Sequence, residues 1–193
     1  MKPCGVIRMS NVEINQAQMG AVRDLLANIR NGAETAMIRA YSAGLNSATS
    51  LTAKGISEKI TLTQSMVKEF ITKTKYKKLG ASMVLKSPQI PLIKFQTSSW
   101  TPGRHPPGGL TVQIWRDGAP QRLRHAFFAM MPSSGHIGIF MRRSYARLAI
   151  DEIKGPFLAS VYEKTPGLSE NVEQTSADKM MAELARQTDL LLR

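Results

Sequence analysis

The first 70 residues place apolar side chains at intervals of three and four, which is the spacing of one face of a helix. One such stripe lies over 15–32, in NQAQMGAVRDLLANIRNG. A longer one lies over 33–53, where small residues would allow close packing against a neighbouring helix. A third, short helix begins after an N-cap at Thr61 or Thr63. The pattern therefore predicts helices over 15–70.

Beyond residue 70 the apolar positions alternate with polar ones, which is the spacing of half-buried strands. The alternation runs through ITKTKYKKL, ASMVLKS, IPLIKFQ and SGHIGIFMRR, and two further runs flank a turn at Asp117-Gly118. The segment 98–109, SSWTPGRHPPGG, holds prolines and glycines that exclude regular structure and predict a protruding or disordered loop. The pattern predicts a mostly antiparallel β-sheet over 71–147, and GVIRM near the start of the sequence is a further short strand.

Two helical segments follow the predicted sheet. A short apolar helix is expected over 156–163, and after a break at Pro166-Gly167 an amphipathic helix is expected over 168–193. Because the last helix follows a Pro-Gly break and is acidic early, we expect it to reach a partner or to pack against the first helices. The sequence thus predicts an α+β fold, with a single domain over 1–167 and a C-terminal helix beyond it.

The net charge of +12 comes from one part of the chain. Residues 1–70 carry 8 Lys and Arg against 5 Asp and Glu, residues 71–147 carry 13 against 1, and residues 148–193 carry 5 against 8. The middle segment alone supplies the excess. A basic block of this kind is most often a solvated face, and the alternatives are a surface for a polyanion or for an acidic protein.

Two basic clusters and one acidic pair form the candidate interaction surface. KTKYKK and MRRSYAR each contain a tyrosine, which places an aromatic ring among cations, as in many nucleic-acid-binding surfaces. The acidic pair follows the second cluster and is expected to face solvent or a neighbouring basic subunit. The surface comprises Lys73, Lys75, Lys77, Lys78, Arg142, Arg143, Arg147, Asp151 and Glu152.

Groups for catalysis or metal binding are sparse and do not converge. The three histidines, including His136, lack paired-ligand spacing, and a structural role is predicted for each. Asp117 fits a hairpin turn, and Asp151 and Glu152 would point to opposite faces of a strand. No GxxxxGKS phosphate loop, Gly-x-Ser-x-Gly elbow or apolar run of about 20 residues occurs. We expect no catalytic residue, no cofactor, no metal and no membrane contact.

The predicted segments follow one another in a recognisable order. After the first helices come IPLIKF, the GGLTVQIWRDG hairpin, HAFFAMM, SGHIGIFMRR and RLAIDEIKGPFLASVYE. This order resembles the bacteriophage minor tail protein Z family, the tail-completion proteins of long-tailed phages and prophages. The family's run of Arg-Leu-Pro-Ile, an acidic or polar pair and Gly-Pro corresponds to RLAIDE and Gly155-Pro156, with Ala149 at the usual proline and Phe157 where a small polar residue is common. The resemblance covers 30–163.

The resemblance implies a structural virion protein and not an enzyme. Such a protein acts at the neck, the head-proximal end of the tail, in tail completion and head–tail joining, after assembly in the host cytoplasm. It is expected to form a homo-oligomeric ring, a hexamer, that contacts tail terminator, tail tube and neck or connector proteins, and also DNA in the channel. The alternatives are a tail terminator or head–tail connector protein and a small basic nucleic-acid-binding module.

Overall fold

The computed structural model describes six parts of the chain, and the α+β class predicted from the sequence is confirmed in them. The described residues are 5–8, 32–76, 80–97, 109–131, 134–143 and 150–192. The predicted helix over 15–32 and the predicted loop over 98–109 lie outside them, apart from the last glycine of each. The elements, in chain order, are β1 (Gly5–Arg8), α1 (Gly32–Lys59), α2 (Gln64–Glu69), β2 (Ile71–Tyr76), β3 (Gly80–Ser87), a 3-10 helix (Leu92–Phe95), β4 (Leu110–Val112), β5 (Gln121–Leu123), β6 (Ala126–Met130), β7 (Ile137–Arg142), β8 (Ile150–Glu152), α3 (Leu158–Lys164) and α4 (Leu168–Leu192).

The two longest helices, α1 and α4, pack against each other and run in opposite directions. Small residues allow the close approach: a Cβ atom on Gly44 would lie 3.3 Å from the Cβ atom of Met180, and one on Gly55 would overlap the side chain of Leu168. The sequence leaves two arrangements open for the C-terminal helix. The structure has the one in which this helix packs against a preceding helix.

A polar network ties the N-terminal part of α1 to the C-terminal part of α4. Arg39 Nη1 donates to Gln187 Oε1 at 2.7 Å, and Gln187 Nε2 donates to Glu183 Oε1 at 2.6 Å. Arg186 donates two hydrogen bonds to the same carboxylate, at 2.7 and 2.8 Å. These contacts, chiefly those from Arg186, lower the pKa of Glu183 to about 2. Gln187 is buried, and both ends of its amide are paired.

The strands in the described parts of the chain form three antiparallel sheets. The predicted antiparallel pairing is therefore confirmed, although the strands are divided among sheets of order β1-β3-β2, β4-β5 and β6-β7-β8. Helix α1 packs on the first sheet through β2 and β3. Each sheet contributes a fully buried side chain to one common core, namely Leu85, Leu110 and Ile139.

The strand predicted in IPLIKFQ is wrong, because this segment forms the 3-10 helix. Leu92 and Phe95 are buried while Lys94 is exposed, so the apolar period is three residues and not two. Pro91 precedes the helix with a φ of −53°, and its carbonyl accepts a hydrogen bond from the Lys94 N–H at 3.1 Å. Extended backbone resumes at Gln96, which bridges to β4.

The segment between β8 and α3 is held against the 3-10 helix. The Gly155 N–H donates to the Ile90 carbonyl at 2.7 Å, and the Leu92 N–H donates to the Ile153 carbonyl at 3.2 Å. A Cβ atom on Gly155 would lie 2.6 Å from the ring of Phe95, which is 1% exposed. The packing of this segment against Phe95 therefore requires a glycine at position 155, in the Gly-Pro motif. The predicted short helix after this motif is confirmed by α3.

We expect Gly155→Ala to destabilise the fold, because the ring of Phe95 cannot move away without disturbing the core. The expected loss in the free energy of unfolding, measured by urea denaturation, is about 1–3 kcal/mol. Lys154→Ala, which changes the exposed neighbour, should stay within about 0.5 kcal/mol of the parent protein. In a Phe95→Leu background the added methyl group has more room, so the penalty should shrink. An equal penalty in both backgrounds would refute a steric cause.

Candidate functional site

The β7–β8 pair brings together four members of the candidate interaction surface. In this antiparallel pair Met141 lies opposite Asp151, and Phe140 lies opposite Glu152. Consecutive residues of a strand point to opposite faces, so the two carboxylates diverge, as predicted. Among the described residues, no group of three or more His, Cys, Asp or Glu side chains is placed to hold a metal ion.

Asp151 forms an ion pair with Arg143 of the same chain. The guanidinium contacts both carboxylate oxygens, and Arg143 Nη2 lies 2.6 Å from Asp151 Oδ1. The side chains of Arg143 and Asp151 are 69% and 50% exposed. Hydrogen bonding to Arg143 lowers the pKa of Asp151, and the same contact raises the pKa of Arg143. Because a carboxylate accepts several hydrogen bonds, Asp151 remains accessible to a cation on another molecule.

Glu152 contacts His136 on the other face of the sheet. His136 Nε2 lies 2.6 Å from Glu152 Oε1, and the Glu152 side chain is only 18% exposed. A Cβ atom on Gly138 would lie 2.8 Å from the same oxygen, so a glycine at this position leaves the room that the contact needs. The structure thus separates the two carboxylates: Asp151 is open to solvent, whereas Glu152 is engaged within the chain.

Arg142 lies over an aromatic cluster on the same face as Glu152. Its guanidinium carbon is 5.6 Å from the centre of the Phe127 ring, which is within the range of a cation–π interaction. The rings of Phe127 and Phe140 lie 6.5 Å apart, and His136 approaches Phe140 edge-on. Phe140 is consequently almost fully buried, although it lies outside the main core.

The lysine cluster lies in another sheet. Lys73 belongs to β2, and its Nζ donates to Asn46 Oδ1 of α1 at 2.9 Å. The backbone of Lys75 is in the same strand. Outside the described residues are the side chain of Lys75 and the whole of Lys77, Lys78 and Arg147. Of the candidate interaction surface, Arg142, Arg143, Asp151 and Glu152 therefore lie near one end of the β7–β8 pair, on its two faces, whereas Lys73 lies in the first sheet.

Two contacts of this site are not expected from the sequence. The sequence predicts a structural role for His136 but gives no reason to pair it with Glu152, or to place Phe127 beneath Arg142. The contact of Arg142 with Phe127 depends on the register of β6 against β7, in which Phe127 lies opposite Phe140. The contact of His136 with Glu152 depends on the register of β7 against β8, in which Phe140 lies opposite Glu152. In both pairs more than two residues separate the strands in the sequence, so sequence spacing does not specify the register.

Several large apolar side chains are exposed in the strand region. Trp115 is 45% exposed and borders a cavity of about 420 Å³ at the β4–β5 turn. Met130 and Met141 are exposed at opposite ends of the β6–β7 pair. They are separate positions and do not form one apolar patch, and exposed apolar residues that occur singly are common on protein surfaces. None of the described helices is both long and apolar enough to cross a bilayer.

Comparison with known families agrees with the resemblance found in the sequence. The profile of the family described as prophage minor tail protein Z (GPZ) matches residues 17–193, which is most of the chain. The match extends beyond the expected 30–163 and includes α4. No curated protein sequence and no solved structure matches the chain significantly.

We expect Arg143→Gln to raise the pKa of Asp151 toward the ordinary range of an aspartate, because the guanidinium hydrogen bonds are lost. An NMR titration of the side-chain carboxyl carbon would measure this change. A folded-state pKa below the unfolded-state pKa stabilises the fold at higher pH, and that contribution is lost as the pH falls. The effect on stability should be small, since the pair is exposed.

The control for this titration is Lys164→Gln, which removes an exposed cation from α3. It should leave the pKa of Asp151 unchanged. An unchanged pKa in Arg143→Gln as well would show that the ion pair does not form in solution.

Proposed function

The chain belongs to the prophage minor tail protein Z family, and we propose that it acts at the neck, in tail completion and in joining the tail to the head. Membership makes it a structural component of a bacteriophage or prophage tail. The proposed role involves no catalytic step and no cofactor, and assembly takes place in the host cytoplasm. The observation that carries the proposal is the family match over most of the chain.

We propose that the chain works as a homo-oligomeric ring, a hexamer, which would match the rotational symmetry of a tail. A ring built from head-to-tail contacts requires two different and complementary surfaces on each subunit. Charge segregation supports such contacts, because residues 71–147 carry 13 basic side chains against 1 acidic, and residues 148–193 carry 8 acidic against 5 basic. The proposed neighbours along the tail axis are the tail terminator, tail tube and neck or connector proteins.

Met141, Arg143 and Asp151 lie together at one end of the β7–β8 pair, and we name this surface the β7–β8 edge. It lies where the basic segment of the chain is followed by the acidic one, and it suits a contact with a neighbouring subunit. Arg143 and Asp151 are open to solvent, and the exposed Met141 lies opposite Asp151. An apolar side chain beside exposed charged groups resembles the transition from the core to the rim of a protein interface. Glu152 is less accessible, so we propose that it does not contact the neighbouring subunit. Its contact with His136 instead stabilises the β7–β8 pair within the chain.

Removal of the gene from an inducible prophage tests the proposed function. We expect lysates to contain filled heads and tails of normal length that do not join, as counted by electron microscopy. Supplying the gene in trans should restore plaque formation. Tails of abnormal length would instead identify a tail terminator, and joining at the parental frequency would contradict both roles.

We expect the double variant Arg143→Asp/Asp151→Arg to lose ring formation while keeping its fold. The exchange retains an ion pair within the chain but reverses the charges that a neighbouring subunit would meet. Sedimentation velocity and negative-stain electron microscopy, with and without tail tubes, would measure assembly. Asp151→Lys/Glu152→Lys should also weaken rings, although it breaks both contacts within the chain.

The matched control exchanges the exposed pair Lys54 and Glu58 on α1, whose charged atoms lie 4.0 Å apart. Lys54→Glu/Glu58→Lys should assemble like the parent protein. If Arg143→Asp/Asp151→Arg forms rings as readily as this control, the β7–β8 edge is not a subunit contact.

A further inference from the structure

Four cations of the basic middle third are already engaged in holding the fold. Lys73, Arg142 and Arg143 contact an amide oxygen of α1, an aromatic ring and a carboxylate, respectively. Arg116 Nε donates to two backbone carbonyls at the C-terminal end of α1, at 2.5 and 3.1 Å. It thereby satisfies acceptors that a helix end leaves without partners. Each of these four side chains thus already makes a contact within the chain.

Arg122 and Arg124 differ from these four. Both are exposed, and among the described residues neither side chain makes a hydrogen bond or an ion pair. Arg122 lies opposite Thr111 in the β4–β5 pair, and a Cβ atom on Gly109 would lie 3.3 Å from Arg122 Nε. Leu110 points to the other face of the pair, into the core. Arg122 therefore lies on the outer face of the β4–β5 hairpin, and the exposed Arg124 follows directly after β5.

We infer that this outer face of the β4–β5 hairpin contacts the phosphate backbone of duplex DNA. Guanidinium groups bind phosphate oxygens through paired hydrogen bonds. One DNA strand carries a phosphate about every 3.4 Å along the helix axis. Two arginines that lie two residues apart can therefore reach separate phosphates of one strand. The inference rests on the proposed function, since a ring on the tail channel would bring the hairpin close to passing DNA.

Charge complementarity favours DNA as the partner of the two exposed arginines. Asp117 is the only acidic residue in 109–131, and it lies at the turn of the hairpin. The hairpin itself therefore adds little negative charge beside the two arginines, and duplex DNA presents negative charge at high density. The alternative role of the two arginines is edge protection. β5 is an edge of its sheet, and charged side chains on an edge strand prevent it from pairing with strands of other chains.

DNA binding and edge protection differ in the salt dependence that they predict. A protein that neutralises phosphates releases counterions, so the logarithm of affinity falls with the logarithm of salt concentration by about 0.9 per contact. Loss of two contacts should flatten this slope by about 2, and should weaken binding roughly 10- to 100-fold at about 0.1 M salt. Edge protection predicts aggregation of the neutral variant and no such change in slope.

We expect the full-length variant Arg122→Ala/Arg124→Ala to show this flattened slope and weaker binding. Fluorescence anisotropy with a labelled duplex of random sequence, over a series of salt concentrations, would measure both. Arg122→Lys/Arg124→Lys keeps the charges and should recover most of the affinity. The matched control Lys68→Ala/Lys179→Ala removes the same charge from exposed positions of α2 and α4 and should keep the parental slope.

Three results would overturn the inference. They are no binding of the duplex by the parent protein at low salt, equal losses in the two double alanine variants, and tighter binding of polyglutamate than of duplex DNA, which would indicate an acidic protein partner. Failure of the proposed function would appear separately, as normal head–tail joining after removal of the gene. That result would leave the DNA measurement intact.

Discussion

Burial of α1 on several sides is the constraint on which the rest of the structure depends. The helix packs against α4, against β2 and β3 of the first sheet, and against α2 and α3. Ala53 and Ile56 are completely buried in the common core. A helix that buries apolar and small side chains against several neighbours depends on those neighbours for its stability. The first sheet and helices α2, α3 and α4 thus cover this one long helix on several sides.

The end of α1 also fixes the position of the β4–β5 hairpin. The Arg116 N–H donates to the Lys59 carbonyl at 2.9 Å, and the Thr61 N–H donates to the Ile114 carbonyl at 3.0 Å. The Arg116 side chain adds its hydrogen bonds to the same helix end. Cations of one basic segment therefore serve two purposes, because some join sheet to helix while Arg122 and Arg124 remain exposed on a hairpin that is anchored at its turn.

Local periodicity was sufficient to predict the described helices, the antiparallel strands and the divergence of Asp151 from Glu152. Each of these depends on residues that are close in sequence. Periodicity failed in IPLIKFQ, where a segment of seven residues fits a period of two as well as a period of three. It also could not give the partners of the acidic pair, since the contacts of Asp151 with Arg143 and of Glu152 with His136 depend on strand register.

The contact between Arg39 and Gln187 joins positions 148 residues apart, and it has a consequence for biosynthesis. Helix α4 follows every other described element in the chain, so the face of α1 that it covers stays exposed on the ribosome until translation has passed α4. Contacts between such distant residues form late and slow the folding of a domain. A prematurely terminated chain would therefore retain an uncovered apolar helix and be open to chaperones and proteases. The cover of α1 therefore depends on the part of the chain that is translated after every other described element.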